Sequence, residues 1–359
     1  MAAPCFSGHI WRDGLFVPAE FSVEDGRIQA MRPAPKIPPL YLVPPYADPH
    51  IHGGWGYSFQ DAEFEQLEKK LRERGIFFVI PTLQNSGIAA LKKTARSFKA
   101  YKQENPGCIF PFLRVEGPFI SCEKKGFQRE DFILEADQAH IQELLAIDEI
   151  RLFTFAPERE GIDALVKQAL ALDKIPSFGH SQATYADFLE IYRLGVRHMT
   201  HYPNAMSGLH HREIGLVGAG LLKDDLVLEV IADGIHNSLD FLRLLLHIKG
   251  PTFGLASDMI PPAYGENPEF DGRLLHQKGK RFTTDAGVLA GGGTDISEQV
   301  HLLLEAGIQP EHLVPLAGLN TLKAFGNPLP RLEEQAEASF LILDDRFRLQ
   351  EVYRCGIRQ

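Results

Sequence analysis

Short, nearly continuous apolar runs recur through the middle of the chain, at residues 42–47, 76–83, 109–115, 150–155, 175–178, 196–200, 226–231 and 252–256. Between them lie segments whose apolar residues repeat with the helical period, among them AEFEQLEKKLRERG, GIAALKKTARSFKAYKQ, GIDALVKQALALDK, YADFLEIYRLG and NSLDFLRLLLHIKG. Several close on a glycine, as a helix C-terminus prefers. Apolar runs of this kind are strands buried on both faces, and their alternation with helices predicts a parallel sheet covered by helices. Eight such units close naturally into a (β/α)8 barrel, a TIM-like α/β architecture. The rival is an open doubly wound sheet, which normally carries a glycine-rich phosphate loop after its first strand. Here that position carries histidines instead.

The two ends of the chain read differently. Residues 8–31 hold short β-branched and aromatic runs separated by Asp13-Gly14 and Asp25-Gly26, and 338–356 repeat the pattern around Asp344-Asp345. The expected organisation is a small β-sandwich domain from 1–43 and 331–359, with the barrel over 44–330. A proline-rich stretch at 33–45 should be a stiff link between them. His9, Arg12 and Asp13 interrupt the N-terminus before any signal-peptide core can form, and no stretch of about 18 apolar residues occurs. The chain is therefore expected neither to be secreted nor to span a membrane.

Composition sharpens this picture in two respects. With 359 residues and a net charge of −10 the chain has no basic groove for nucleic acid, so a bound anion must be met by a few local cations. The four cysteines, Cys5, Cys108, Cys122 and Cys355, form no CxxC pair, which argues against a disulfide framework or a thiolate zinc site. A reducing cytoplasm is the expected location.

In a barrel of this type the chemistry sits just past the C-terminal ends of the strands. The first run leads into Asp48-Pro49-His50-Ile51-His52-Gly53, where residues two apart face the same side. The third leads into Glu116-Gly117-Pro118, the fifth into His180, the sixth into His201, the seventh into Asp233-Gly234-Ile235-His236 and the eighth into Asp258. Taken singly, each histidine reads as a hydrogen-bonded structural residue and each acid as a turn or helix cap. Together, five histidines and two carboxylates at one end of six strands are costly to bury unless something binds them. A divalent cation is the simplest answer, and imidazole with carboxylate donors suits Zn²⁺, Fe²⁺, Mn²⁺ or Co²⁺ alike. Such a cation supplies hydroxide near neutrality and polarises a carbonyl. Asp258 could then carry a proton from the attacking water to the departing atom, so hydrolysis of an amide or related acyl bond follows as the reaction class.

The motifs DPHIHGG, VEGPF followed by KKG, FAPE, GHSQATY, THYPNAMSGLHHREIGLVGAG, IADGIH and ASD stand in the order seen in one known family. The chain resembles the N-acetylglucosamine-6-phosphate deacetylases of the amidohydrolase superfamily from about residue 44 to 327, with HYPNAM and HREIGLVGAG the most specific parts. The resemblance implies that Glu116, His180 and His201 are principal metal ligands and Asp258 the catalytic acid/base, itself near the metal. It implies that His50 and His52 bind a second metal in members that have one, giving one or two ions per subunit. Asn204, Ala205, Arg212 and His236 are implied to hold a phosphorylated amino sugar, with the arginine reaching from a neighbouring subunit of a homodimer. The position of a carbonyl-polarising histidine is taken by Gln128. After the eighth strand the chain reads LAGGGTDI where the family has a serine and two apolar residues, and an anionic Asp295 facing a phosphate would be unfavourable. Two alternatives stay open: hydrolysis of another N-acyl amino sugar or amide, and a catalytically inactive sugar-phosphate-binding barrel.

Overall fold

Pro44 and Pro45 divide the first apolar run in two, because a proline has no amide to continue a strand ladder. In the structure, a computed structural model that describes residues 4–359, Tyr41–Val43 pairs in parallel with Cys5–Arg12 and antiparallel with Phe340–Leu343. The barrel begins only at Tyr46–Ile51, which pairs with Ile76–Leu83. The run at 42–47, expected as one barrel strand, therefore serves two sheets. The link expected over 33–45 likewise includes a strand.

Both chain ends build one seven-stranded mixed sheet, in the order Ile357–Arg358, Leu349–Arg354, Phe340–Leu343, Tyr41–Val43, Cys5–Arg12, Leu15–Glu24 and Arg27–Pro33. Its last strand curls back toward the middle, since the Ile28 amide donates to Ala336 O at 2.9 Å and Arg27 bridges to Glu337. The curled sheet encloses a core of its own around Ile10, Phe21, Leu42 and Phe340. Residues 1–3 of the N-terminal segment lie outside the described residues.

The barrel strands follow chain order and are all parallel: Tyr46–Ile51, Ile76–Leu83, Leu113–Glu116, Ile150–Phe155, Ile175–Phe178, His198–Met199, Val227–Val230 and Gly254–Leu255. Several are shorter than their apolar runs; the third starts only after Pro111 has interrupted the ladder. The eighth strand closes on the first just beyond its end, where the Asp258 amide donates to His50 O and the His52 amide to Met259 O, both at 2.8 Å. The five expected helices fall at Phe64–Glu73, Ile88–Glu104, Ile162–Ala171, Tyr185–Tyr192 and Leu239–Lys249. Past the eighth strand, two small hairpins not foreseen in the sequence, at 269–274 and 276–283, place Phe270 and Phe282 against Phe127. They pack on the loop that follows the third strand. Among the described residues no helix is long and apolar enough to cross a membrane.

Candidate active site

Three of the polar residues that end strands, His180, His201 and Asp258, have φ of 48°, 33° and 48°. A left-handed backbone is unfavourable for side chains of this kind by roughly 1 kcal/mol or more and persists only where the surroundings impose it. Here it turns the chain sharply off the strand and aims each side chain at the barrel axis.

The side chains converge on Glu116. Its Oε1 lies 2.9 Å from His201 Nε2, 3.2 Å from His180 Nε2 and 3.3 Å from His50 Nε2, and its Oε2 lies 3.3 Å from His52 Nε2. Asp258 Oδ1 stands 3.3 Å from the Nε2 atoms of both His50 and His52. Two trios result, His50 with His52 and Asp258, and Glu116 with His180 and His201; in each, one ligand atom per residue lies within 4.8 Å of the others. Glu116 stands between them.

These groups fit a divalent cation. His180 Nδ1 lies 2.7 Å from the carbonyl oxygen of Lys124, which can only accept, so that nitrogen carries the proton. Its Nε2 then presents a lone pair to Glu116 Oε1 and, at 3.1 Å, to His201 Nε2. Electron-pair donors aimed at one another in a buried space require a positive charge between them. The carboxylates and imidazoles shift one another in opposite directions. Burial alone would lower His52, yet hydrogen bonds to Asp258 and Glu116 raise it to about 9. Burial would raise both carboxyls, but the neighbouring imidazoles, His50 foremost, hold Glu116 well below and Asp258 below the usual range. His50 behaves oppositely: burial and then Arg114 lower it to about 4, so its imidazole is already neutral, whereas His52 would release its proton to a bound cation.

The ligands open into a cavity of about 450 Å³ lined by nine of the eleven expected site residues, all but His50 and Arg212. His50 lies fully buried directly beneath. His236 faces the cavity with its Nδ1 fixed 2.7 Å from Asp233 Oδ2; burial opposes its protonation, but Asp233 carries its pKa upward. The Asn204 amide donates to His201 O at 2.8 Å, and Ala205, at φ 53°, accepts from the Ser181 amide at 2.9 Å. Gln128 is engaged at both ends: its Nε2 donates to Glu116 Oε2 at 2.5 Å and its Oε1 accepts from the Asn85 amide at 2.9 Å. Arg212 is exposed, its guanidinium 2.8 Å from His211 Nε2, and does not enter the cavity of its own chain.

No family model matches the chain. An N-acetylglucosamine-6-phosphate deacetylase of Bacillus subtilis (strain 168) is 32% identical over 264 residues, covering 70% of this chain and 66% of that protein. An N-acetylgalactosamine-6-phosphate deacetylase of Escherichia coli O157:H7 is 28% identical over 356 residues, 94% and 93% of the two chains. The crystal structure of an N-acetylglucosamine-6-phosphate deacetylase from Thermotoga maritima superposes with a TM-score of 0.88 at 28% identity, over 99% of each chain. The chain belongs to the N-acetylglucosamine-6-phosphate deacetylase family. Within this deacetylase fold, two sets of residues near the site escaped the sequence reading. The Lys124 carbonyl that fixes His180 has no signal, because it is main chain. Arg114 and Glu229, one layer beneath the ligands, leave only a faint one: each is a charge among apolar strand residues, Arg114 in LRVE two positions before Glu116 and Glu229 in VLEV.

Proposed function

We propose that the chain hydrolyses the acetamido group of N-acetylglucosamine 6-phosphate, giving glucosamine 6-phosphate and acetate. The observation that carries this reading is the convergence of both buried trios on one face of a cavity that also holds Asn204, Ala205 and His236. Glu116, His180 and His201 would hold one divalent ion, and His50 and His52 a second beside Asp258. Such ions, when bound, supply Lewis acidity toward the amide carbonyl and toward water.

The remaining steps belong to the chain's own residues. Asp258, ionised because its pKa is depressed, takes a proton from the water whose oxygen adds to the carbonyl carbon. It then gives that proton to the nitrogen as the carbon–nitrogen bond breaks, so the amine departs neutral and acetic acid leaves, losing its remaining proton to solvent as acetate. Gln128, with one N–H spent on Glu116, keeps a second amide hydrogen for the substrate. His236, held by Asp233, and the backbone at Asn204 and Ala205 would bind the sugar phosphate, and Arg212 would reach it from the other subunit of a cytoplasmic homodimer. The catalytic residues lie within 44–330, with 1–43 and 331–359 serving as a separate small domain.

Acetate release tests this directly. Metal-replete protein should act on N-acetylglucosamine 6-phosphate far better than on the unphosphorylated sugar. Its 4-epimer, N-acetylgalactosamine 6-phosphate, belongs in the same assay because a relative of nearly equal length is named for it. No acetate from either phosphate would overturn the reading.

A further inference from the structure

The interior layers of such a barrel are normally packed with branched apolar side chains. One layer below the metal ligands this barrel instead buries a full ion pair. Arg114, two residues before Glu116 on the third strand, and Glu229 on the seventh are both essentially without solvent exposure. Arg114 Nη1 donates to Glu229 Oε1 at 2.6 Å and to the Pro49 carbonyl at 2.8 Å, and its Nη2 donates to Thr200 Oγ1 at 3.0 Å. Ser177 Oγ is 2.6 Å from Thr200 Oγ1 and 2.8 Å from His198 Nδ1. His198 Nε2 returns to within 3.4 Å of Glu229 Oε1. A buried pair of this kind is no source of stability, since apolar residues of like volume generally do as well or better.

The atoms left over point to its purpose. Among the described residues, Glu229 Oε2 is a buried acceptor without a hydrogen-bond partner, and His50 Nδ1 is a buried ring nitrogen also without one. They face each other at 3.6 Å. The guanidinium meanwhile grips the carbonyl of Pro49, the residue before His50. Both ends of the pair thus act on the same short stretch of the first strand.

We infer that Arg114 and Glu229 are positioning residues for the first-strand metal site: the Glu229 carboxylate faces the Nδ1–H of His50 and keeps the ring proton on that nitrogen, leaving the Nε2 lone pair free to face Glu116 and Asp258. This rests on the assignment of His50 and His52 as cation ligands made above. A carboxylate behind an imidazole both fixes the tautomer and raises the basicity of the ligating nitrogen.

The test is a Zn²⁺ titration of the chelator-stripped full chain, with bound zinc measured by elemental analysis and folding by thermal melting. In Glu229→Gln the amide oxygen is held by Arg114, so its NH₂ turns to His50 Nδ1 and drives the ring proton onto Nε2. Arg114→Met/Glu229→Met removes the pair without leaving a buried charge, and its stripped form should melt near the unsubstituted protein. In both variants the first Zn²⁺ should bind as before and the second about 10–100-fold more weakly. A folded variant that keeps the second Zn²⁺ at full affinity overturns the inference. So does unfolding of the Met pair, which would make the ion pair structural. His50→Ala separates this from the underlying reading: it should lose one Zn²⁺, and if it keeps both, or if the unsubstituted chain takes only one, the first-strand site itself fails and the inference with it.

Discussion

Asp258 carries two burdens at once. Its backbone sits at φ 48° and its amide closes the barrel onto His50, while its carboxylate faces both first-strand imidazoles. Asparagine tolerates the left-handed region as well as aspartate does, so Asp258→Asn should fold and still bind substrate. It should nevertheless lower kcat by about 10²–10⁴, the contribution of a lost general acid/base. The pH profile adds a second check. Burial would raise this carboxyl, but the imidazoles hold it below the ordinary range, so the ionised base persists, and activity with it, until pH falls below that range. This acidic limb should vanish in Asp258→Asn. At this scale the sequence was highly legible, because histidines and acids placed directly after apolar runs have few other reasons to cluster. Arg114 and Glu229 were not, since a charge within a strand reads equally well as a solvent-facing position until the barrel closes around it.

The strands and helices were legible where period and punctuation agree, and misread where they conflict. The run at 42–47 is continuous in hydrophobicity, but Pro44 and Pro45 end one ladder and begin another. The hairpins at 269–274 and 276–283 left no trace because each is only two or three residue pairs long. Asp295 shows what an element's orientation decides. Its possible conflict with a phosphate does not arise, because it is fully buried at the N-terminus of the helix Ile296–Glu305, accepting from the Glu298 amide at 3.0 Å and paired with Arg74. Asp295→Ala should therefore cost about 1–2 kcal/mol through the lost cap, seen as a lower denaturation midpoint. Arg74, partly exposed, can turn to solvent and adds little. The KM for the phosphorylated sugar should not change, and a large increase would place Asp295 at the substrate after all.

At the scale of the molecule, the exposure of Arg212 makes the proposed dimer testable by complementation. If the arginine acts across subunits, Asp258→Asn and Arg212→Ala are each defective alone. Subunits of the two, unfolded and refolded together, should regain about a quarter of the full activity, because about half of the dimers are mixed and each of these carries one intact site of its two. Activity no greater than the mean of the separate variants would assign Arg212 to its own chain or to the surface. The sequence could not decide this point: an arginine beside two histidines looks the same whether it ends in solvent or in a neighbour's cavity.

The seam between the eighth and first strands also sets where the barrel breathes. The amides of Asp258 and His52 are held there by single 2.8 Å bonds to His50 O and Met259 O, so any opening of the cylinder at this edge exposes them to deuterium. Those same residues contribute side chains on both sides of the seam to one trio. An ion bound by all three would act as a rivet across the gap and raise the free energy of its opening. Deuterium uptake at Asp258 and His52 should slow markedly on addition of Zn²⁺, while amides between the fourth and fifth strands, far from the seam, keep their rates.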